Sequence, residues 1–261
     1  MTVLFATGTV RSADGTTIAY DRVGEGPPLI VIGGAFNDRH SADVLKQLLA
    51  SRFTVYIHDR RGRGESGDTA PYAIEREVED LDALIAAAGG SACVYGHSSG
   101  AVLAMEAASR GSAITKLAAY EPPYTADPED PTPPSDGGVR AAVDAGDRER
   151  AAESFMRLTG MDDNSVQWVK QAPFWPGMVA MAHTLPYDLA LTGDGTVPTA
   201  RFAAITVPAL VMDGGTSPAW AGRAGASVAA AIPGARRLTV EGQDHGVDQA
   251  VLAPLLVEFF G

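Results

Sequence analysis

The sequence predicts an α/β fold with a doubly wound, mostly parallel sheet. Short apolar runs alternate along the chain with longer stretches of helical periodicity, and this alternation is typical of the class. The apolar runs lack the alternating polarity of half-exposed strands, which indicates strands that are covered by helices on both faces. A hydrophobic share of 46% in 261 residues is enough to form a large core.

The first two strands are expected to form an antiparallel hairpin, because the turn signal Ala13–Gly15 separates the runs Val3–Val10 and Thr16–Val23. Six further apolar runs predict core strands: Pro28–Ile32, Phe53–Ile57, Ala92–Tyr95, Ile114–Tyr120, Ala209–Met212 and Arg237–Val240. The stretches with helical periodicity around them are Ser41–Ala50, Ile74–Ala88, Ser99–Arg110, Ala219–Ile232 and Gln249–Phe260.

One long segment between two core strands, residues 122–205, interrupts this alternation. It contains no clear strand pattern and starts with a stretch rich in Pro, Asp and Gly, Asp127–Gly138. Helical patterns follow at Arg148–Leu158, Asn164–Ala172 and Trp175–Leu185. A bare loop of this length is uncommon inside a domain. We therefore expect a helical cap over residues 122–205 and a core made of residues 1–121 and 206–261.

Charge and composition exclude several classes of partner. A formal net charge of −12 argues against nucleic acid and against an anionic membrane surface. The single cysteine, Cys93, excludes an internal disulfide framework and fits a reducing compartment. The sequence shows neither a run of about 18 apolar residues nor a signal-peptide pattern, so we expect a soluble, cytoplasmic protein. The oligomeric state is left open.

A G-x-S-x-G pattern over Gly96–Gly100 carries the first catalytic prediction. It follows an apolar strand and opens an apolar helix, which is the setting that a nucleophile elbow requires. The glycines permit a sharp turn that lifts Ser98 out of the sheet. Ser98 is thus the predicted nucleophile, and the Ser99 N–H, at a helix N-terminus, is a predicted oxyanion donor. The alternative is a plain Gly/Ser turn.

Two loops add a resemblance to the α/β-hydrolase superfamily. Gly33–Phe36 resembles its His-Gly-x loop, with Gly33 in place of the usual His, and the resemblance implies that the Ala35 N–H is the second oxyanion donor. The run Asp59–Ser66 is very similar to the D-x-R-G-x-G-x-S turn of the same superfamily. That turn is structural, so we expect the basic run Arg60–Arg63 to brace a loop and not to bind phosphate.

The predicted base is His245, which lies between the last strand and the last helix. The other histidines fit this place less well; they are His40, His58, His97 and His183. A surface histidine without a catalytic role is the alternative reading of His245.

The predicted acid is Glu121, and here the sequence departs from the usual plan. The position after the strand Ala209–Met212 that usually holds the acid is occupied by Ser217, and serine cannot offset the charge of an imidazolium. Glu121 ends the strand beside the nucleophile strand, a position from which haloalkane dehalogenases and zearalenone-type lactonases take their acid. The serine nucleophile makes the arrangement resemble the lactonases. Asp213 and Asp244 remain alternatives, and Glu121 could also be a surface charge.

Together these residues predict a serine hydrolase that cleaves an ester or lactone of a fairly bulky apolar small molecule through an acyl-enzyme. The reaction needs no metal and no organic cofactor. Candidate substrate contacts, which could equally form the cap's own core, are Phe36, Trp175, Met178, His183 and Tyr187. Two alternatives stay open because fold does not fix function: a lyase or cyclase of secondary metabolism, and a binding protein with weak catalysis.

Overall fold

The computed structural model describes residues 5–125 and 135–261. Eight strands form one sheet in the order β1-β2-β4-β3-β5-β6-β7-β8. The strands are β1 Phe5–Arg11, β2 Thr17–Val23, β3 Pro28–Ile32, β4 Thr54–His58, β5 Ala92–His97, β6 Ile114–Tyr120, β7 Ala209–Gly214 and β8 Arg236–Val240. The β1–β2 and β2–β4 pairs are antiparallel, and the other neighbouring pairs are parallel. The predicted hairpin and mostly parallel sheet are confirmed. Residues 3 and 4 of the predicted first strand lie outside the described residues.

Helices cover both faces of this sheet. In chain order they are α1 Asp43–Leu49, α2 Ile74–Ala87, α3 Ser99–Ser109, α4 Val139–Asp144, α5 Arg148–Leu158, α6 Asp163–Lys170, α7 Trp175–Met181, α8 Leu185–Thr192, α9 Thr199–Phe202, α10 Ala219–Ala231 and α11 Gln249–Phe260. Side chains alternate along each strand, so Ile30 and Ile32 of β3 pack under α2, α3 and α10. Leu29 and Val31 pack on the opposite face, under α1 and α11.

Between β6 and β7, residues 139–205 contain six helices, α4 to α9, and have their own apolar cluster. That cluster includes Val139, Ala151, Val166 and Trp175. The single helix predicted over Trp175–Leu185 is wrong: α7 ends at Met181, a 3-10 turn covers Ala182–Thr184, and α8 follows. Pro186 is the reason, because proline fits the first turn of a helix but cannot continue an existing one.

The end of this segment packs with the core. Leu191, Phe202 and Ile205 belong to the cluster under α2, α3 and α10, and α8 contacts both α3 of the core and α5 of the segment. The division into a core and a cap at residues 122–205 stays a prediction, and residues 126–134 of it lie outside the described part. Within the described ranges, no helix has the length and apolar character that spanning a membrane requires.

Candidate active site

Ser98 stands at a sharp turn between β5 and α3. Its backbone has φ 56° and ψ −125°, a conformation that costs a non-glycine residue energy. A Cβ atom on Gly96 would lie 2.3 Å from the Gly100 carbonyl oxygen, and one on Gly100 would lie 2.4 Å from the Ile32 carbonyl oxygen. Only glycine fits these two positions, so the motif's glycines allow strand, turn and helix to pack this closely.

Positive φ angles mark the neighbouring strand ends as well. In residues 5–125 and 135–261, the non-glycine residues with positive φ are Phe36 (59°), Ser98 (56°) and Glu121 (45°). They follow β3, β5 and β6, which lie side by side in the sheet. Backbone strain of this kind persists where surrounding contacts hold it, and it concentrates at functional sites.

Glu121 and His245 meet through a short hydrogen bond. His245 Nδ1 lies 2.7 Å from Glu121 Oε2, and the carboxylate is buried while the imidazole is 45% exposed. The other oxygen, Oε1, accepts from the Gly214 N–H at 2.8 Å and from the Ser217 hydroxyl at 2.5 Å. Burial alone would raise the pKa of Glu121, but the hydrogen bonds from His245, Ser217 and Gly214 outweigh burial and lower it. The carboxylate is thus ionised and fixed at the Nδ1 edge of the imidazole ring.

His97 and Tyr120, which the sequence analysis did not assign to the site, anchor the loop that carries His245. His97 Nε2 lies 2.8 Å from the His245 carbonyl oxygen and therefore carries the proton of this hydrogen bond. Burial and the nearby His245 lower the pKa of His97 to about 4, so its ring is neutral at pH 7. The Tyr120 hydroxyl donates to the Asp244 carbonyl at 2.7 Å. Tyr120 is adjacent to Glu121, so β6 holds both the carboxylate and the histidine loop.

The Gly33–Phe36 loop lies against the serine. A Cβ atom on Gly34 would lie 2.8 Å from Ser98 Cβ and 3.3 Å from Ser98 Oγ. The Gly34 N–H donates to Asn37 Oδ1 at 3.0 Å, and Ala35 follows directly. Ser99 is the first residue of α3, and amides in the first turn of a helix have no partner within the helix. The loop and the helix start therefore bring two predicted oxyanion residues to the same place as Ser98.

The basic run after β4 forms a buried ionic cluster. The guanidinium groups of Arg60, Arg61 and Arg63 are at most 2% exposed. Their carboxylate partners include Glu77, Asp80 and Asp188. Burial alone would raise the pKa of Glu77, but the neighbouring Arg60 charge and its hydrogen bonds lower it. The prediction that this run braces a loop is confirmed.

The predicted substrate contacts lie in two places: Phe36 is in the loop after β3, and the other four are in the segment between β6 and β7. Phe36 meets Phe155 of α5 edge to face, with ring centroids 5.5 Å apart. Trp175 lies in the segment's apolar cluster, and Met178 packs against that cluster. His183 Nδ1 lies 3.1 Å from the Ala180 carbonyl, and burial lowers the pKa of His183.

Tyr187 lies at the contact between the segment and the loop after β4. Its ring stacks on Tyr72 at 4.0 Å, and its hydroxyl donates to Asp68 at 2.8 Å. Whether any of the five side chains touches a substrate stays a prediction.

A cavity of about 180 Å³ lies on the α1 and α11 side of the carboxyl ends of β3 and β5. Gly33, Asn37, His97 and Gly246 are among the residues that line it, and none of the five predicted substrate contacts does. In the part of the chain that the structure describes, no group of three or more His, Cys, Asp or Glu side chains could hold a metal ion.

The mostly parallel sheet and the serine elbow define an α/β hydrolase. A family model described as the alpha/beta hydrolase family matches residues 12–253, and the chain belongs to this family. The predicted superfamily is confirmed, while the narrower likeness to zearalenone-type lactonases stays a prediction.

Three known proteins are similar to this chain. An alpha/beta hydrolase from Sphaerobacter thermophilus DSM 20745 has 52% sequence identity and a TM-score of 0.92, over 97% of this chain and 100% of that one. An enol-lactonase from Burkholderia xenovorans LB400 shares the fold at 21% identity and a TM-score of 0.73, over 97% of this chain and 99% of that one. N-formylmaleamate deformylase from Pseudomonas putida strain KT2440 is 34% identical over 126 residues, which are 46% of this chain and 47% of that protein. The chain therefore matches about half the length of this curated relative.

Proposed function

We propose that this α/β hydrolase is a serine enzyme that cleaves an ester or lactone of a fairly bulky apolar small molecule. The observation that carries the proposal is the 2.7 Å hydrogen bond between Glu121 and His245. The His245 ring centroid lies 4.9 Å from that of His97, the residue that precedes the strained elbow serine. The hydrogen bond from Glu121 supplies the third member of a nucleophile, base and acid set, the arrangement that activates serine in many unrelated folds.

The mechanism follows from the roles of these groups. Ser98 Oγ bonds to the carbonyl carbon while its proton passes to the ring nitrogen of His245 that Glu121 leaves free, Nε2. The buried Glu121 carboxylate offsets the positive charge that the ring gains. The N–H groups of Ala35 and Ser99 stabilise the oxyanion. His245 then returns the proton to the leaving alkoxide, and a water molecule activated by the same histidine releases the acid.

An apolar substrate group is supported by the surroundings of the oxyanion loop. Ala35 and Phe36 pack against the apolar cluster of the segment between β6 and β7, and Phe36 also meets Phe155. A substrate carbonyl held by Ala35 therefore has aromatic and aliphatic surface beside it. Apolar walls with a few oriented polar groups are the usual composition of small-molecule sites.

Deformylation is the second candidate function, suggested by the 34% identity to N-formylmaleamate deformylase. The same serine chemistry would then transfer a formyl group from nitrogen. A panel that contains p-nitrophenyl esters, lactones and N-formyl compounds separates the two candidates. Turnover of the esters or lactones supports the proposal, and turnover of N-formyl compounds alone replaces it with the second candidate. A protein that binds members of the panel without cleaving any supports a lyase, a cyclase or a binding protein.

The nucleophile is tested by Ser98→Ala, which should leave folding intact and lower kcat by about 10⁴-fold or more, as loss of a triad member does. Ser227→Ala in α10 is the matched control, because Ser227 is exposed and far along the chain from the elbow. Labelling with a fluorophosphonate should modify the wild-type protein and Ser227→Ala but not Ser98→Ala. Retention of more than a few per cent of activity in Ser98→Ala contradicts the covalent mechanism.

A further inference from the structure

Asp188 belongs to α8 of the segment between β6 and β7. Its buried carboxylate binds the turn after β4 and the first residue of α3. Oδ1 accepts from the Ser99 hydroxyl at 2.6 Å and from Arg60 at 2.8 Å. Arg63 Nη2 donates to both oxygens, at 2.9 Å and 2.7 Å. Burial alone would raise the pKa of Asp188, but the charges of Arg63 and Arg60 outweigh it and lower it. An ionised, desolvated carboxylate that accepts four hydrogen bonds holds its partners firmly.

Arg63 in turn holds the peptide that carries one predicted oxyanion donor. Its Nη1 donates to the Gly34 carbonyl at 2.6 Å. The C=O and N–H groups of a planar trans peptide point in opposite directions. Fixing the Gly34 carbonyl on Arg63 therefore fixes the direction of the Ala35 N–H. The charged donor also polarises the peptide, which strengthens the Ala35 N–H as a hydrogen-bond donor.

Ser99 receives a parallel support from the same carboxylate. Its hydroxyl is bonded to Asp188 while its backbone starts α3 directly after Ser98. Asp188 is thus linked to both predicted oxyanion residues. It accepts directly from the Ser99 hydroxyl, and it binds Arg63, which holds the Gly34 carbonyl of the peptide that carries the Ala35 N–H.

We propose that Arg63 is a positioning residue of the oxyanion hole and that Asp188 holds it in place. The packing of α8 on the core then fixes the positions of the Ala35 and Ser99 N–H groups. The inference rests on the proposed serine mechanism. It assigns to Arg63 a role beyond the bracing of its own loop.

Arg61 offers a matched control, since it lies in the same turn and is equally buried. It binds Asp80, Asp14 and the Arg76 carbonyl. Replacing either arginine by glutamine removes a buried charge with carboxylate partners, so Arg63→Gln and Arg61→Gln should both lower stability. If the role of Arg63 is purely structural, the two variants should therefore have the same labelling rate and the same kcat per folded molecule.

The experiment measures the rate of fluorophosphonate labelling of Ser98, together with kcat and KM on an ester, in both variants under conditions where each is folded by circular dichroism. In labelling, the Ser98 Oγ–P bond forms as the P–F bond breaks, and the phosphoryl oxygen occupies the oxyanion hole. We expect Arg63→Gln to lower the labelling rate and kcat by about tenfold to hundredfold, less than the 10² to 10³ that follows deletion of a donor, with KM little changed. Arg61→Gln should stay within about threefold of wild type. Equal effects in the two variants, or no loss in Arg63→Gln, overturn the inference.

Two further variants keep the inference testable if Arg63→Gln does not fold. Ser99→Ala retains the backbone N–H and removes one hydrogen bond to Asp188; we expect a loss of roughly threefold to tenfold in labelling rate at unchanged KM, on the scale of one hydrogen bond. Arg63→Lys keeps the charge beside Asp188 without the planar fork and should fall between wild type and the rates expected for Arg63→Gln. Wild-type rates in both variants overturn the inference.

The outcomes for the wild-type protein separate this inference from the proposed function. Labelling at Ser98 without cleavage of any ester or lactone contradicts the proposed function, and the labelling rates still test Arg63. A wild-type protein that is not labelled contradicts the serine mechanism and this inference with it.

Discussion

The ends of β6 and β7 lie side by side, and each carries a buried carboxylate with a different use. Glu121, directly after β6, binds His245 at 2.7 Å. Asp213, near the end of β7, accepts from Arg237 at 2.8 and 3.1 Å and from Thr239 at 2.9 Å. Both partners of Asp213 are in β8. Glu121 therefore contacts the loop that follows β8, whereas Asp213 contacts β8 itself.

The backbone decides this difference. Asp213 still obeys the alternation of β7, so its side chain faces α10, where a Cβ atom on Gly225 would lie 2.8 Å from Asp213 Oδ1. Glu121 has left the strand with a φ of 45°, and its carboxylate reaches across the strand ends to His245. Ser217, at the place usually taken by the acid, donates to Glu121. The direction of the chain after the strand, and not the presence of a carboxylate, therefore determines which of the two carboxylates reaches His245.

Among changes at the two strand ends, Glu121→Gln should lower kcat most. The amide keeps the size of the side chain but removes the charge that stabilises the protonated ring, and its NH₂ group can favour the wrong tautomer of His245. We expect kcat to fall by about 10² to 10⁴, as when a triad acid is neutralised, with a folded protein by circular dichroism. Steady-state kinetics on the ester substrate measures it. A loss below about tenfold would show that another group supplies the charge.

Moving the carboxylate from position 121 to position 217 tests whether the end of β7 can also supply the acid for His245. Ser217 Oγ lies 2.5 Å from Glu121 Oε1, so an acid introduced at position 217 starts close to the carboxylate that it replaces. The double variant Glu121→Gln/Ser217→Asp should recover about tenfold of the kcat lost in Glu121→Gln, since a carboxylate at position 217 can restore both an acceptor for the His245 N–H and the charge that offsets the imidazolium. Ser227→Asp in the Glu121→Gln background is the control for added negative charge. Equal rates in the two double variants would mean that only the β6 end can serve His245.

Asp213→Asn should change activity little and stability more. The variant leaves Arg237 with a weaker partner and removes a charged acceptor from Thr239, which costs about 1 to 3 kcal/mol of unfolding free energy. We expect kcat to stay within about tenfold of wild type. Denaturant unfolding and steady-state kinetics test both parts.

Asp244→Asn is the control for Asp213→Asn, because Asp244 is exposed and its side chain accepts only from the Gly246 N–H among the described contacts. It should affect both measurements less. A kcat loss above a hundredfold in either variant would contradict the difference drawn between the two strand ends.

The sequence predicts those parts of the fold and the site that depend on residues close to one another along the chain. Strand and helix patterns predict the sheet, and G-x-S-x-G in its setting predicts the elbow, whose glycines the packing requires. Position at a strand end predicts that Glu121 can approach His245. The division between α7 and α8 is missed because the helical pattern Trp175–Leu185 continues across the 3-10 turn Ala182–Thr184, and Pro186 lies just beyond its end.

The remaining supports of the site join residues far apart in the sequence. His97 and His245 are 148 positions apart, and Arg63 and Asp188 are 125 apart. Their hydrogen bonds depend on how strand ends, loops and α8 approach one another in three dimensions, and the periodicity of the sequence holds no information about this. Arg63 is visible in the sequence as part of a basic turn, but its contact with Gly34 is set by the three-dimensional approach of two loops.

Ser217 supports the acid without touching the histidine in any described contact, so its removal should lower kcat much less than Glu121→Gln does. Its hydroxyl is one of the groups that lower the pKa of Glu121 below the ordinary value of 4.5. A carboxylate with a lowered pKa in the folded state stabilises the fold above its ordinary pKa, and this stabilisation is lost as the pH falls through the lowered value. Removing the hydroxyl lets the pKa of Glu121 rise, so less stabilisation remains at neutral pH.

Ser217→Ala should therefore lower the unfolding free energy by about 1 to 2 kcal/mol at pH 7, the scale of a hydrogen bond to a charged group. The difference from wild type should shrink when both proteins are unfolded at an acidic pH well below 4.5, because the carboxylate becomes protonated as the pH falls through the lowered pKa of Glu121. We expect kcat to fall only a few-fold, because the bond between Glu121 and His245 and the one from the Gly214 N–H remain. Urea unfolding at the two pH values, with Ser227→Ala as control, measures the shift. A difference that is the same at both pH values would mean that Ser217 acts through packing and not through the charge of Glu121.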